Sequence, residues 1–261
     1  MKKELLDVIF KSEKRKEILI LLQDGSKEME DILQSLNSSR QALLPQIRIL
    51  EEHYLVSQEK DTYELTTIGK LIIDEMVPFV NTVDALDVDI DYWGTRRLDF
   101  IPPHLIKRIS ELGKCEVVNP PLNEAYELNK QVVEDCYKSK SVFIISTFFH
   151  PMYPTLFSKL IENNVNVYAI FSQDVVNLIR SNYYADYLEL RAQNLVHLFM
   201  YTKKMNLQAV VCNDHCLLMR LLKSNDGVDN KHVVCFNPCA LEWGKEVFDC
   251  YMKNSTPITE L

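Results

Sequence analysis

The chain opens on apolar positions repeated at helical spacing. Leu5, Leu6, Ile9 and Phe10 fall on one face, and a second amphipathic stretch from about Glu13 to Gln23 gathers Ile18, Leu19, Leu21 and Leu22 before Asp24-Gly25-Ser26 stops it. The next helix, from about Lys27 to Leu36, carries Met29, Ile32, Leu33 and Leu36. Asn37-Ser38-Ser39 then supplies a tight turn and N-cap chemistry, and a further helix from about Arg40 to His53 repeats Leu43, Leu44, Ile47 and Leu50 at three- and four-residue spacing. Two short β-prone pieces, Leu55 to Ser57 and Thr62 to Leu65, flank a polar turn as a small hairpin does. From Thr66 the helical period returns through Leu71, Ile72, Ile73 and Met76, with Pro78 expected to end or bend it. Helix, turn, helix and a hairpin wing predict a winged helix-turn-helix.

After Phe79 the pattern loosens. Acidic residues, Trp93-Gly94, Pro102-Pro103 and Asn119-Pro120-Pro121 describe a connector with short helices, His104 to Leu112 among them. Alternation then sets in: a helix from Ala125 to Tyr137, a strand Ser141 to Thr147, a helix Tyr153 to Asn163, a strand Asn166 to Phe171, and one long helix from Asp174 to about Ala192. That order places helices on a largely parallel sheet. Further β-prone segments follow at Val196 to Thr202, Leu207 to Cys212, Cys216 to Leu222 and His232 to Phe236, and a helix from Ala240 to Lys253 closes the pattern. The expected organisation is a winged helix-turn-helix of α+β class over residues 1–78, a helical connector over 79–121, a three-layer α/β sensor domain with a mixed sheet over 122–254, and a flexible tail over 255–261.

Composition narrows the classes. Of 261 residues, 47% are apolar, enough for two cores, and the longest nearly continuous apolar run, Val142 to Phe149, is far too short to span a bilayer. Met1-Lys2-Lys3 resembles a signal-peptide start, but Glu4, Asp7 and Lys11 interrupt the apolar stretch that export needs. Seven cysteines, an odd number, are expected to be reduced thiols in a cytoplasm. The net charge of −8 divides evenly at Pro78, with 11 Lys/Arg against 15 Asp/Glu before it and 18 against 22 after it. Neither part is basic, which limits any nonspecific phosphate footprint.

The segment from Asn37 to Val56, NSSRQALLPQIRILEEHYLV, resembles the recognition helix and following strand of ArsR-like winged-helix regulators. Leu50-Glu51-Glu52-His53-Tyr54-Leu55-Val56 is similar to that family's entry into the wing, with Tyr54 where glycine is usual, and Tyr63-Glu64-Leu65-Thr66-Thr67-Ile68-Gly69 resembles the wing exit. Pro45 departs from a simple helix and predicts a kinked or late-starting one, at a cost of about 3 kcal/mol. The same Leu-Leu-Pro marks an archaeal subgroup, the methanogenesis-regulatory type, in which a winged helix precedes a characteristic middle domain. Asp99-Phe100-Ile101-Pro102, His150-Pro151-Met152-Tyr153, Asn164 to Val167 and Ala240-Leu241-Glu242-Trp243-Gly244-Lys245-Glu246 resemble that domain. The resemblance, from about Lys14 to Tyr251, implies a homodimeric transcription regulator of double-stranded DNA with an unknown effector.

A recognition helix of this kind enters the major groove, so Ser39, Arg40, Gln41 and Gln46 are the candidate base or phosphate contacts, with Arg48 and the wing-tip Lys60 as backbone contacts. The competing reading makes them solvated polar residues of a winged helix that docks proteins rather than DNA. Enzyme motifs are missing: six scattered glycines form no P-loop, dinucleotide fingerprint or nucleophile elbow. The expected α/β topology is similar to phospholipase-D-like modules, but their His-x-Lys pair is absent. No catalytic role and no cofactor is expected. Thr147, His150, Tyr153, Ser172 and Asp174 are the candidate small-molecule ligands' contacts at the strand ends, unless His150 merely caps the next helix. Cys212, Cys216, Cys235 and Cys239, with His215 inside the first pair, have the wrong spacing for a zinc knuckle and are expected as buried thiols.

Overall fold

The computed structural model describes residues 4–124, 127–191 and 193–258. Met1-Lys2-Lys3, Ala125 and Ala192 at expected helix ends, and 259–261 of the expected tail lie outside them. The chain divides into two compact units at Val80.

In the first unit the order is α1 (Leu5–Phe10), α2 (Glu13–Leu21), β1 (Lys27–Glu28), α3 (Met29–Ser35), α4 (Arg40–Glu52), β2 (Val56–Glu59), β3 (Thr62–Leu65) and α5 (Thr67–Asp87), in which the division falls. The strands form an antiparallel sheet in the order β1-β3-β2. The expected start of the third helix at Lys27 is corrected, because Lys27 and Glu28 pair with Tyr63 and Thr62 and only Met29 begins the helix. One core holds Ile18, Leu19, Met29, Ile32, Leu43, Ile47, Leu50 and Tyr63. The helix α4 runs unbroken from Arg40 through Pro45. Pro45 is exposed and deprives the carbonyl of Gln41 of its donor, but Gln41 is also exposed, so the loss falls on the solvent side of the helix. Pro78 does not end α5 either, for its position and that of Asp74, whose carbonyl it leaves without an N–H, face solvent.

The second unit continues with α6 (Ile90–Gly94), α7 (Pro103–Ile106), β4 (Cys115–Val118), α8 (Lys130–Lys138), β5 (Ser141–Ser146), α9 (Tyr153–Glu162), β6 (Asn166–Phe171), α10 (Gln173–Asn182), α11 (Tyr184–Arg191), β7 (Val196–Tyr201), β8 (Ala209–Cys212), β9 (Leu217–Arg220), β10 (His232–Cys235), α12 (Pro238–Met252) and β11 (Ser255–Pro257). Eight strands in the order β11-β7-β6-β5-β8-β9-β10-β4 form one mixed sheet, parallel across β7, β6 and β5 and antiparallel elsewhere. Side chains alternate across it. Val142, Ile144, Ala169, Leu218 and Val234 share a core with α8 to α11, whereas Ile145, Val210, Leu217, Met219 and Val233 share the opposite core with α12 and the segment from Tyr92 to Leu112. Three layers result.

Three expectations are corrected here. The connector over 79–121 is largely a wall of the second core: Trp93, Phe100, Leu105 and Leu112 are buried, Trp243 Nε1 donates to the carbonyl of Leu105 at 2.9 Å, and Arg108 bridges to Glu246 at 2.8 Å. The tail over 255–261 is partly a strand, since Ser255, Thr256 and Pro257 pair with Tyr201, Met200 and Phe199. The long helix from Asp174 is two helices that meet at Tyr183.

Gly69 sits where α5 crosses the end of the wing, and a Cβ there would lie 2.1 Å from the carbonyl oxygen of Leu55. Gly69→Ala is therefore expected to destabilise the first unit by about 1–3 kcal/mol, measured by urea unfolding of the full chain.

Candidate nucleic-acid interface and ligand pocket

In the first unit, burying Leu43, Ile47 and Leu50 turns one edge of α4 inward and the opposite edge outward. Gln41, Pro45, Arg48 and Glu52 are exposed on that outer edge, Ser39 and Arg40 are exposed at the start of the helix, and Lys60 is exposed in the wing turn with φ of 58°. Ser39 is the N-cap, yet its hydroxyl makes no capping bond. Arg40 Nη2 contacts Asp61 Oδ1 at 2.7 Å, so the wing turn neutralises the arginine nearest the start of the helix. Lys14 escaped the sequence reading: its Nζ donates to Ser38 Oγ at 3.3 Å, beside the beginning of α4.

Gln46 stands apart. It is half-buried, and its Oε1 accepts from Arg15 Nη1 at 2.8 Å and from Ser12 Oγ at 3.3 Å. Arg15 is itself buried and also donates to the carbonyl of Val8. Assigning Gln46 to a base is therefore corrected; its carbonyl is committed to an internal guanidinium, thirty-one positions earlier in the chain.

In the second unit the expected ligand residues do not converge. Thr147 Oγ1 donates to the carbonyl of Leu207 at 2.9 Å, Ser172 Oγ accepts from the N–H of Val175 as the N-cap of α10, and Asp174 is exposed in that helix's first turn. His150 is buried and its Nδ1 accepts from the N–H of Met152 at 3.1 Å, in the turn before α9, which has no side-chain cap. Tyr153 alone lines a cavity, of about 50 Å³, between α8, α9 and the sheet. Burial pushes its phenol up to about 12. Arg220, Asn129, Val132, Ala209 and Leu218 are further lining residues that sequence reasoning missed.

Cys115, opposite Cys235 in the β4–β10 register, is joined to it by a disulfide, against the expectation of reduced thiols throughout. The reason is β4, a strand the proline-rich surroundings concealed. Cys235 is thus unavailable to the supposed four-thiol set, and Cys239 is exposed. Burial raises Cys212 to about 12 and Cys216 to about 11, keeping both as neutral thiols at neutral pH. The amide of Asn213 lies between Cys136 and Cys216, at 3.3 and 3.4 Å. His215 is exposed. Among the described residues no helix is long and apolar enough to cross a membrane.

The family profile "Methanogenesis regulatory protein FilR1, N-terminal domain" matches residues 3–84, and the profile of the middle domain of the same protein matches residues 125–254. The methanogenesis regulatory protein FilR1 of Methanothrix harundinacea (strain 6Ac) is 21% identical over 257 residues, which are 97% of this chain and 58% of that protein. Two solved structures are similar at low identity: TrmBL2, an archaeal chromatin protein, at 12% with a TM-score of 0.42 over 97% of each chain, and the phospholipase D family member Nuc from Salmonella typhimurium, at 14% with a TM-score of 0.38 over 49% of this chain and 88% of that one.

If Gln46 serves Arg15, its removal is a stability defect. Gln46→Ala is expected to lower the stability of the first unit by about 1–3 kcal/mol, and Gln46→Glu, which restores an acceptor, to recover it in the same urea titration.

Proposed function

This chain belongs to the family of the methanogenesis regulatory protein FilR1, and from that premise we propose that it is a transcription regulator whose α4 docks in the major groove of double-stranded DNA. One observation supports this most: an amphipathic helix that presents Ser39 and Arg40 at its start and Gln41 and Arg48 on its outer edge to solvent, with an exposed lysine, Lys60, on the adjoining wing. An α-helix fits the major groove, and arginine and glutamine are the side chains that pair bidentately with guanine and adenine. The backbone N–H groups at the start of α4, the free hydroxyl of Ser39 and Lys14 suit a phosphate oxygen.

A regulator of this kind works as a pair of copies. Leu6 on α1 and Leu71 and Phe79 on α5 are 69%, 66% and 59% exposed, and Phe10 of α1 meets Phe79 edge-on with ring centroids 6.4 Å apart. Apolar side chains side by side on two helices favour a second copy as their cover, giving a homodimer on a pseudo-palindromic site. An effector in the second unit then acts by binding one arrangement of the dimer more tightly than the other. The acidic balance of the first unit and the Asp61 carboxylate on Arg40 favour a second reading, a winged helix that docks a protein instead of DNA.

Mobility shift with a duplex from upstream of its own gene separates the two. Arg40→Ala with Gln41→Ala is expected to weaken binding by about 1–3 kcal/mol per residue, and a duplex that the unaltered protein never retards supports the protein-docking reading. Asp61→Asn, which releases Arg40, is expected to tighten binding at low salt, with the gain fading as salt rises. In sedimentation, Leu71→Glu with Phe79→Glu is expected to raise the dimer dissociation constant at least about tenfold, equivalent to 1.4 kcal/mol.

A further inference from the structure

Among the described residues of the second unit, Arg220 is a half-buried cation with no carboxylate paired to it. Arg220 ends β9 and shares a row across the sheet with Ala209 and Ser146, all on the face covered by α8 and α9. Ala209 is too small to fill the space beside it, and the result is the cavity between the helices and the sheet. Its wall is apolar apart from Arg220, Asn129 and Tyr153. Among the described residues Arg220 is in no ion pair, and the titratable groups that interact with it are the phenols of Tyr153 and Tyr92 and the imidazole of His232, with no Asp or Glu among them. Burial draws its guanidinium below the usual arginine range. Asn129 Nδ2 faces His232 Nε2 at 3.0 Å, and burial holds His232 down, toward its neutral form. Arg220 is half-buried, so its guanidinium is partly stripped of water, and an anion entering the cavity offsets that loss.

The size of the space says which part of a ligand enters. A water-sized group takes about 10–15 Å³ of such space, so a cavity of about 50 Å³ accepts a head of about three to five heavy atoms. Leu128, Val133 and Leu156 are shared with an outer groove of about 410 Å³, whose lining adds Tyr137, Met152, Lys159 and the ion pair of Lys130 with Glu127. An apolar body leaving the cavity finds a continuous hydrophobic path there.

We propose that the cavity between α8, α9 and the sheet binds an organic carboxylate, its head on the Arg220 guanidinium and its apolar body laid past Val133 and Leu156 into the outer groove. The proposal gives chemical content to the sensing role offered above, but the binding itself involves neither DNA nor the first unit. Titration calorimetry of the full chain with octanoate, and with 1-octanol as its uncharged match, tests it in the absence of DNA. Octanoate is expected to bind at least about tenfold more tightly than 1-octanol. Arg220→Met is expected to remove that preference, leaving 1-octanol unaffected, whereas Arg220→Lys retains part of it. Ala209→Leu, which fills the cavity without touching the charge, is expected to abolish octanoate binding while circular dichroism stays that of the unaltered chain. Failure of the unaltered protein to bind butyrate, octanoate or dodecanoate, or equal affinity for octanoate and 1-octanol, overturns the proposal whatever the variants do. A chain that binds octanoate through Arg220 but never retards DNA contradicts the regulator reading and leaves this site standing.

Discussion

The insertion of Leu43, Ile47 and Leu50 into the first core decides what the rest of α4 can offer. With those three fully buried, helical geometry sends Gln41 and Arg48 outward, while Arg40 at the helix start pairs with Asp61 of the wing. The same rotation carries Gln46 to the boundary, where Arg15 claims it. A shift of the helix by one position would reverse both outcomes. Gly69 protects this arrangement from the other side, because α5 leaves the wing against the carbonyl of Leu55 and any side chain there would push the two apart.

Electrostatics tempers the docking face. The wing turn places Glu59 and Asp61 on either side of Lys60, and Asp61 occupies Arg40. An exposed ion pair of this kind is worth little, so a phosphate or a base edge can displace it. What it removes is the long reach of the charge, and with it indiscriminate attraction to any duplex. The chain's acidic balance and a DNA-facing helix are compatible if recognition is short-range and selective.

Much of this was legible in the order of residues, and the exceptions share a cause. Helices with strong apolar periodicity and the hairpin wing declare themselves locally, and so do β5, α9 and β6, where ranges inferred from pattern agree with the structure to within a residue or two. The segment from Tyr92 to Leu112 reads as a linker because its helices are four or five residues long and its prolines and acids mimic a loop; its burial depends on Trp243 and Tyr251, more than a hundred positions later. Likewise β4 is a four-residue strand whose partner, β10, lies far down the chain, and the Cys115–Cys235 pairing follows from that register. Arg220 and Ala209 carry no local signature at all. An arginine ending an apolar strand looks like a boundary residue, and only the sheet order, with β8 between β5 and β9, sets it over a cavity. Gln46 is the counterexample within a motif, for the spacing that put it on a recognition helix could not show Arg15 waiting beneath it.

The central claim is contact between the outer edge of α4 and duplex DNA, and it can be read directly by attaching a photoreactive side chain at position 41, in place of Gln41, and irradiating the protein with duplex from upstream of its gene. A covalent protein–DNA adduct is expected from that position and none from the same group at Glu134, which is exposed on α8 of the second unit. Equal labelling from both, or none from position 41 while the protein still retards the duplex, contradicts the account.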